Sequence, residues 1–218
     1  LENPSHTYAA TGTYNVTLLV TTVPGGCQNQ IIIPVTVSPI PTVNAGLDAT
    51  ICSNSPLTIN DATSSNGTLV WTSSGSPGTL TNAVTITPTY TPSPQDATAG
   101  TIALTLTGTG TGPCATQTVV DQKIVTLKPQ PSGNAGPAAI ICANGTLNIS
   151  DASALNYSSV LWSSTTGGTW ANANTLTPTY TPSAADILNG TVTLNLRING
   201  KDQCGSLFTN VTKTLTIN

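Results

Sequence analysis

The strongest constraint in this sequence is that it states one pattern twice, 90 residues apart. Asn44-Ala45-Gly46 returns as Asn134-Ala135-Gly136, and Ile51-Cys52 returns as Ile141-Cys142. Thr89-Tyr90-Thr91-Pro92-Ser93 returns as Thr179-Tyr180-Thr181-Pro182-Ser183, while Asp96, Gly100 and Cys114 return as Asp186, Gly190 and Cys204. Only Trp71 and Trp162 stand 91 apart, which places one extra residue in the loop before the second Trp. Solenoid repeats recur every 20–50 residues or so, and no such shorter period is present. The chain therefore carries tandem copies of a whole small domain. Such arrays serve as spacers or adhesive surfaces, because catalysis seldom needs the same site twice in a row.

Proline marks the boundaries. Val35-Thr36-Val37-Ser38-Pro39-Ile40-Pro41 aligns with Val125-Thr126-Leu127-Lys128-Pro129-Gln130-Pro131. In each, an alternating strand runs into Pro-x-Pro, which favours a stiff extended connection. Residues 39–128 and 129–218 then form two complete copies, each the size of an Ig-like sandwich, preceded by an incomplete piece at 1–38. The stiff joints predict an elongated rod.

Within each copy nearly everything reads as strand. Thr101-Ile102-Ala103-Leu104-Thr105-Leu106-Thr107 alternates apolar residues with Thr, the period of a half-buried strand, and Thr191–Leu196 repeats it. Leu57–Ile59, Thr68–Thr72 and Val84–Ile86 read as shorter strands between Asn, Ser, Gly and Pro. Ser93-Pro94-Gln95-Asp96 and Ser183-Ala184-Ala185-Asp186 spell a capping box, predicting one short helical turn per copy. The expected fold is all-β: tandem Ig-like β-sandwiches of about 90 residues.

Composition sets the compartment. Charged residues are only 6%, Thr supplies about a fifth of the chain, and five Cys accompany five Lys plus Arg. Intracellular domains average about a quarter charged residues. The cysteines point to an oxidising, extracellular setting. A net charge of -3 argues against nucleic acid, and no stretch approaches the ~18 apolar residues of a membrane span. The start at Leu1 reads as that of a mature or excised segment.

The segment His6-Thr7-Tyr8, followed by Gly12-Thr13-Tyr14-Asn15-Val16, resembles the closing strands of a PKD (polycystic kidney disease) domain. The two full copies share Asn-Ala-Gly, Ile-Cys, Trp, Thr-Tyr-Thr-Pro-Ser-x-x-Asp-x-x-x-Gly and a later Cys. In this they are similar to the PKD-like, Ig-like modules of very long surface proteins of Bacteroidetes, although neither copy carries the His-x-Tyr or Gly-x-Tyr-x-Val segment. The resemblance implies tandem sandwiches in a surface adhesin of the gliding-motility kind, exported by the type IX system. It also implies a packing role at a strand start for His6.

The remaining residues suggest structure more than chemistry. Cys52 with Cys114, and Cys142 with Cys204, form the simple disulfide reading, since the other connectivities join different copies. Cys27 reads as half of a similar bridge whose partner lies upstream, with a free or intermolecular thiol as its rival. Trp71 and Trp162 read as core. Tyr90 and Tyr180 read as buried rings whose hydroxyls tie down nearby backbone, as in the corner Tyr of Ig folds. Asp96 and Asp186, and Asp61 and Asp151, read as caps and turns. Asp48 becomes Ala138, and no Asp-x-Asp cluster suggests calcium, so no metal or cofactor is expected. Trp170, opposite Leu80, is left as a candidate carbohydrate-stacking ring. A single His leaves no Ser-His-Asp arrangement and no catalytic residues are expected.

The function these features predict is a structural stalk of a repetitive bacterial cell-surface adhesin, presenting a distal tip. Its alternatives are a self-assembling surface filament and a carbohydrate-binding accessory region of a secreted hydrolase. The expected partners are neighbouring repeats, surface glycans or other cells reached through distal domains, and, in the filament, further copies of the chain.

Overall fold

The alternation of apolar residues with Thr becomes a long central hairpin in each repeat of the computed structural model, which describes residues 3–75 and 77–218. The first two residues of the 1–38 segment, Leu1 among them, thus lie outside the described residues. Thr101–Gly110 pairs antiparallel with Thr118–Lys128, and Thr191–Gly200 with Phe208–Ile217. Ile102, Leu104 and Leu106 turn inward and are buried, as are Val192, Leu194 and Leu196. Thr on the other face keeps strand geometry without adding charge.

Gly67–Ser73 flanks the first hairpin on one side, and Ala49–Cys52 lies parallel to Thr118–Lys128 on the other, completing a four-stranded sheet. Opposite it lie a three-stranded sheet, ordered Leu57–Thr58, Thr89–Thr91, Thr79–Thr81, and the pair Thr42–Asn44 with Thr63–Ser65. The second repeat copies this plan. Its four-stranded sheet is ordered Ala139–Ile141, Phe208–Ile217, Thr191–Gly200, Tyr157–Ser164. The chain is all-β, built of tandem Ig-like sandwiches. Each has its own core, centred on Trp71 and Tyr90 in the first and on Trp162 and Tyr180 in the second.

The one-residue slip between the Trp positions has a local cause. A β-bulge between Tyr157 and Ser159 inserts the extra residue into the strand itself and not into a loop. Val84–Ile86 is not a strand. Asn82 adopts φ +56° and its carbonyl accepts from Thr85 N and Oγ1, so the segment turns, leaving Val84 exposed.

In the amino-terminal segment, Gly12–Thr21 pairs antiparallel with Gln28–Val37. Among the described residues, no second sheet covers this hairpin as one covers its counterpart at Thr101–Lys128. Val16, Leu18, Val20, Ile31 and Ile33 are about half exposed, at 44–60%.

Candidate functional site: the junction between the repeats

The polar residues that recur in both copies converge on three places, of which two are internal braces. In the first brace Ser93 caps Pro94–Ala99. Its hydroxyl accepts from Asp96 N at 3.2 Å, and Asp96 Oδ2 accepts from Ser93 N at 2.8 Å. The same carboxylate oxygen accepts the Tyr90 hydroxyl at 2.8 Å. Tyr180 and Asp186 repeat this at 2.7 Å. The corner tyrosines therefore tie down a capping carboxylate, and the Tyr180 hydroxyl also meets the backbone at Gly168. Burial pushes the Asp186 carboxyl upward, but bonds from the Thr166 hydroxyl, the Ser183 amide and hydroxyl, and the Tyr180 hydroxyl outweigh it and hold it down at about 2. Burial raises the Tyr180 hydroxyl.

The second brace explains Asn-Ala-Gly. Asn44 Oδ1 accepts from Gly46 N at 2.7 Å, and Gly46 takes φ +80°. A Cβ on Gly46 would lie 2.3 Å from the Asp61 carboxyl carbon, so only Gly fits. Asp61 accepts from Leu47 N at 2.8 Å and pairs with Lys123 at 3.0 Å; the Lys123 ammonium also donates to the Leu47 carbonyl. The Lys123 hydrogen bond, then the Leu47 amide, lowers the Asp61 carboxyl. Lys213 and Asp151 repeat the pair at 2.7 Å. Sequence reasoning missed both lysines. They occupy the inward row of the last strand, in line with Val125 and Leu127 or with Leu215 and Ile217, and are themselves buried. A lysine in a core-facing parity position was the available signal.

The third place is the junction. Cys52 is bonded to Cys204, across the repeats, with Cα atoms 5.0 Å apart. The expected pairs Cys52–Cys114 and Cys142–Cys204 do not form, and geometry excludes them. Cys52 stands opposite Lys128, at one end of the Thr118–Lys128 strand. Cys114 lies at the other end, where its carbonyl accepts from Gln117 N. Eleven residues of strand separate those ends by roughly 35 Å, whereas a disulfide needs Cα atoms within about 7 Å. Cys204, in the 3₁₀ turn Asp202–Cys204 at the near end of the second repeat, instead sits 3.4 Å from the Lys128 carbonyl oxygen. Cys27, Cys114 and Cys142 are free. Cys27 does not occupy the position of Cys114: its carbonyl accepts from Thr22 N as Gln117 O accepts from Gly110 N, three residues further on.

The connector is pinned as well as cross-linked. Asn156, at φ +56°, donates from Nδ2 to Gln130 O at 3.3 Å, and Thr209 Oγ1 donates to Pro131 O at 2.8 Å. Asn66 treats Ile40 of the preceding connector the same way, at 3.2 Å. The Pro-x-Pro segment is thus held onto the repeat that follows it.

The other candidates pack or cap. Trp170 stacks on Trp162 at 5.6 Å and packs at a tilt against Tyr180 at 4.6 Å, so its ring is taken up against the core. His6 meets the Tyr8 ring edge-on at 4.6 Å, and Tyr8 meets Tyr14 at 4.6 Å. Asp48 accepts from Ile124 N at 2.9 Å. Among the described residues, no group of three or more His, Cys, Asp or Glu side chains is placed to hold a metal ion.

No family model and no curated protein sequence matches the chain. Among solved structures, human CDH23 EC21–23 is similar at 14% identity and TM-score 0.46, covering 94% of this chain and 74% of that one. The human desmocollin-1 ectodomain is similar at 12% identity and TM-score 0.44, and protocadherin gamma B2 extracellular cadherin domains 1–5 at 13% and 0.42. The matches cover 94% and 96% of this chain but span only 48% and 46% of those two proteins. The fold assignment rests on the strand order and the two cores described above.

Proposed function

We propose that this chain is an extracellular structural segment of a repetitive bacterial cell-surface adhesin, a stalk that spaces and presents a distal adhesive tip. The observation that carries this reading is the Cys52–Cys204 bond between successive repeats. An enzyme gains nothing from stapling two copies of one fold end to end, whereas a load-bearing spacer gains resistance to extension. Disulfides persist in oxidising compartments, which supports an extracellular setting. The recurring carboxylates are spent on amides, hydroxyls and lysines that hold turns, which supports a non-catalytic role.

Pulling the oxidised chain between its ends should leave the 152-residue span between Cys52 and Cys204 unextended, hiding roughly 500 Å of contour that reappears on reduction. The same chain should bind no immobilised glycan. Full extension without reduction, or glycan binding lost on Trp170→Ala, would overturn the spacer reading.

One observation favours the filament alternative: the open apolar faces of the Gly12–Val37 hairpin, where another subunit could add a strand or a sheet. Ordered helical polymers of the purified chain in electron micrographs would support it, and a monomer at high concentration would count against it.

A further inference from the structure

The two repeats carry the same pair of cysteine positions, yet only one bond exists. Cys52 and Cys142 are equivalent, as are Cys114 and Cys204. The bond joins the far-end cysteine of one repeat to the near-end cysteine of the next. The two unbonded positions already have the geometry of the bonded ones.

At the far end, Ser53 N donates to Lys128 O at 2.9 Å beside Cys52; beside Cys142, Ala143 N donates to Asn218 O at 2.8 Å. At the near end, Cys204 N donates to Lys201 O at 2.9 Å, and Cys114 N to Thr111 O at 3.1 Å. The Cys204 sulfur is 3.4 Å from the carbonyl of Lys128, and the Cys114 sulfur 3.5 Å from that of Ser38, the equivalent residue of the preceding strand. Both half-sites are thus preformed. What distinguishes them is cover: Cys52 is 1% exposed under the second repeat, whereas Cys142 is exposed.

We infer that Cys142 is an acceptor for the near-end cysteine of another repeat of this same kind, docked end-on as the second repeat docks on the first. The partner is a sandwich carrying a cysteine at the end of the 3₁₀ turn that closes its long hairpin. Cys114 is the complementary donor, placed to receive the far-end cysteine of a repeat whose last strand is Gln28–Val37. Every junction of such an array then carries one disulfide, and the closed loops overlap: Cys142 lies inside the span bounded by Cys52 and Cys204. Each bond forms as two thiols release two protons and pass two electrons to a disulfide oxidant, which is reduced to its dithiol. This inference rests on the junction geometry and stands whether or not the array presents an adhesive tip.

The test appends a second copy of residues 129–218 directly after Asn218 of the full chain, creating a new junction with the Lys128-Pro129 connector replaced by Asn218-Pro. Peptide mapping without reduction should show Cys142 joined to the appended counterpart of Cys204, alongside the original Cys52–Cys204 bond. Cys142→Ser should return that counterpart to a free thiol and leave Cys52–Cys204 intact. A second version appends residues 39–128 and presents Cys114 in the same role, which covers the case in which the first appended unit misfolds. A bond to Cys142 in either chain supports the inference. Alkylatable Cys142 in both chains, with Cys52–Cys204 still formed, overturns it.

Discussion

The two repeats share their corner and turn braces and differ in the packing between them and in single polar contacts. Tyr90–Asp96 and Tyr180–Asp186 hold the same corner within 0.1 Å, at 2.8 and 2.7 Å. Gly46 over Asp61 and Gly136 over Asp151 hold the same turn. By contrast, the second core stacks Trp162, Trp170 and Tyr180, where the first has Trp71, Leu80 and Tyr90. Trp162 Nε1 donates to Thr175 O at 3.1 Å, whereas the buried Trp71 Nε1 meets no acceptor among the described residues. Arg197 covers the Phe208 ring at 4.0 Å on the second hairpin, where the first has Thr107 and Thr118. A buried polar group left without its partner costs more than a reshaped apolar contact, so the braces are the invariant part of this fold and the packing between them is the variable part.

The largest test of that comparison removes the corner carboxylates. Asp186→Ala leaves the Tyr180 hydroxyl, the Ser183 amide and the Thr166 hydroxyl without their acceptor, and should cost about 3 kcal/mol. Asp96→Ala should cost the first repeat a similar amount. In a domain of this size either loss lowers the melting temperature by more than about 10 °C, and calorimetry should show the altered repeat melting ahead of the other. A loss below about 1 kcal/mol in either repeat would show that its corner is not a brace.

Acid probes the same corner with a smaller effect. The Asp186 carboxyl is held at about 2 in the folded chain against an ordinary 3.8. The lowered value means that its stabilisation is complete above pH ~4 and is lost as pH falls toward ~2. About 2 kcal/mol should disappear from the second repeat across that window, read by urea unfolding at pH 7, 4 and 2. Unchanged urea midpoints at pH 4 and pH 2 would contradict the hydrogen-bond arrangement around this carboxylate.

Smaller still is Trp170→Leu, which installs the residue of the first repeat in the second. The lost stacking on Trp162 and Tyr180 is worth roughly 1 kcal/mol beyond the area it buries, so a cost of about 1–2 kcal/mol is expected. A cost above ~4 kcal/mol would mean that the aromatic stack, and not the shared corner, holds the second core.

How far the sequence predicts these features depends on whether the signal is periodic or spatial. Alternation placed the long hairpins, and Ser-x-x-Asp placed both helical turns, because each signal lies within a few neighbouring residues. The apolar alternation of Gly12–Thr21 likewise marks one strand of a hairpin, which no second sheet covers among the described residues. The disulfide is different. Repetition shows that Cys52 matches Cys142, but not at which end of the sandwich each lies; that depends on Ala49–Cys52 running parallel to the last strand. Lys123 and Lys213 are hard to recognise in the sequence because an isolated lysine looks solvated until its inward parity is read against Val125 and Leu127. The turn at Val84–Ile86 mimicked a strand because three residues are too few to distinguish a period.

The smallest expected change in stability, and the sharpest test of the two repeats as separate units, is removal of the junction bond. Closing a loop of more than 100 residues would be worth about 5 kcal/mol in the chain-entropy treatment if the whole span unfolded together. Here the span includes parts of two sandwiches with separate cores, and each closes its hairpin, corner and turn without reference to Cys52–Cys204. Cys52→Ser should therefore shift each melting transition by no more than about 2 °C. Its effect should fall on the junction, where the Pro-x-Pro connector remains pinned by Asn156 and Thr209 but the first repeat is no longer covalently held to the Asp202–Cys204 turn. A pair of fluorophores placed on Thr68 and Lys201 should then report a broader distance distribution in Cys52→Ser than in the oxidised parent. If both transitions instead collapse together by 10 °C or more, the repeats fold as one cooperative body, and the comparison between two independent copies fails.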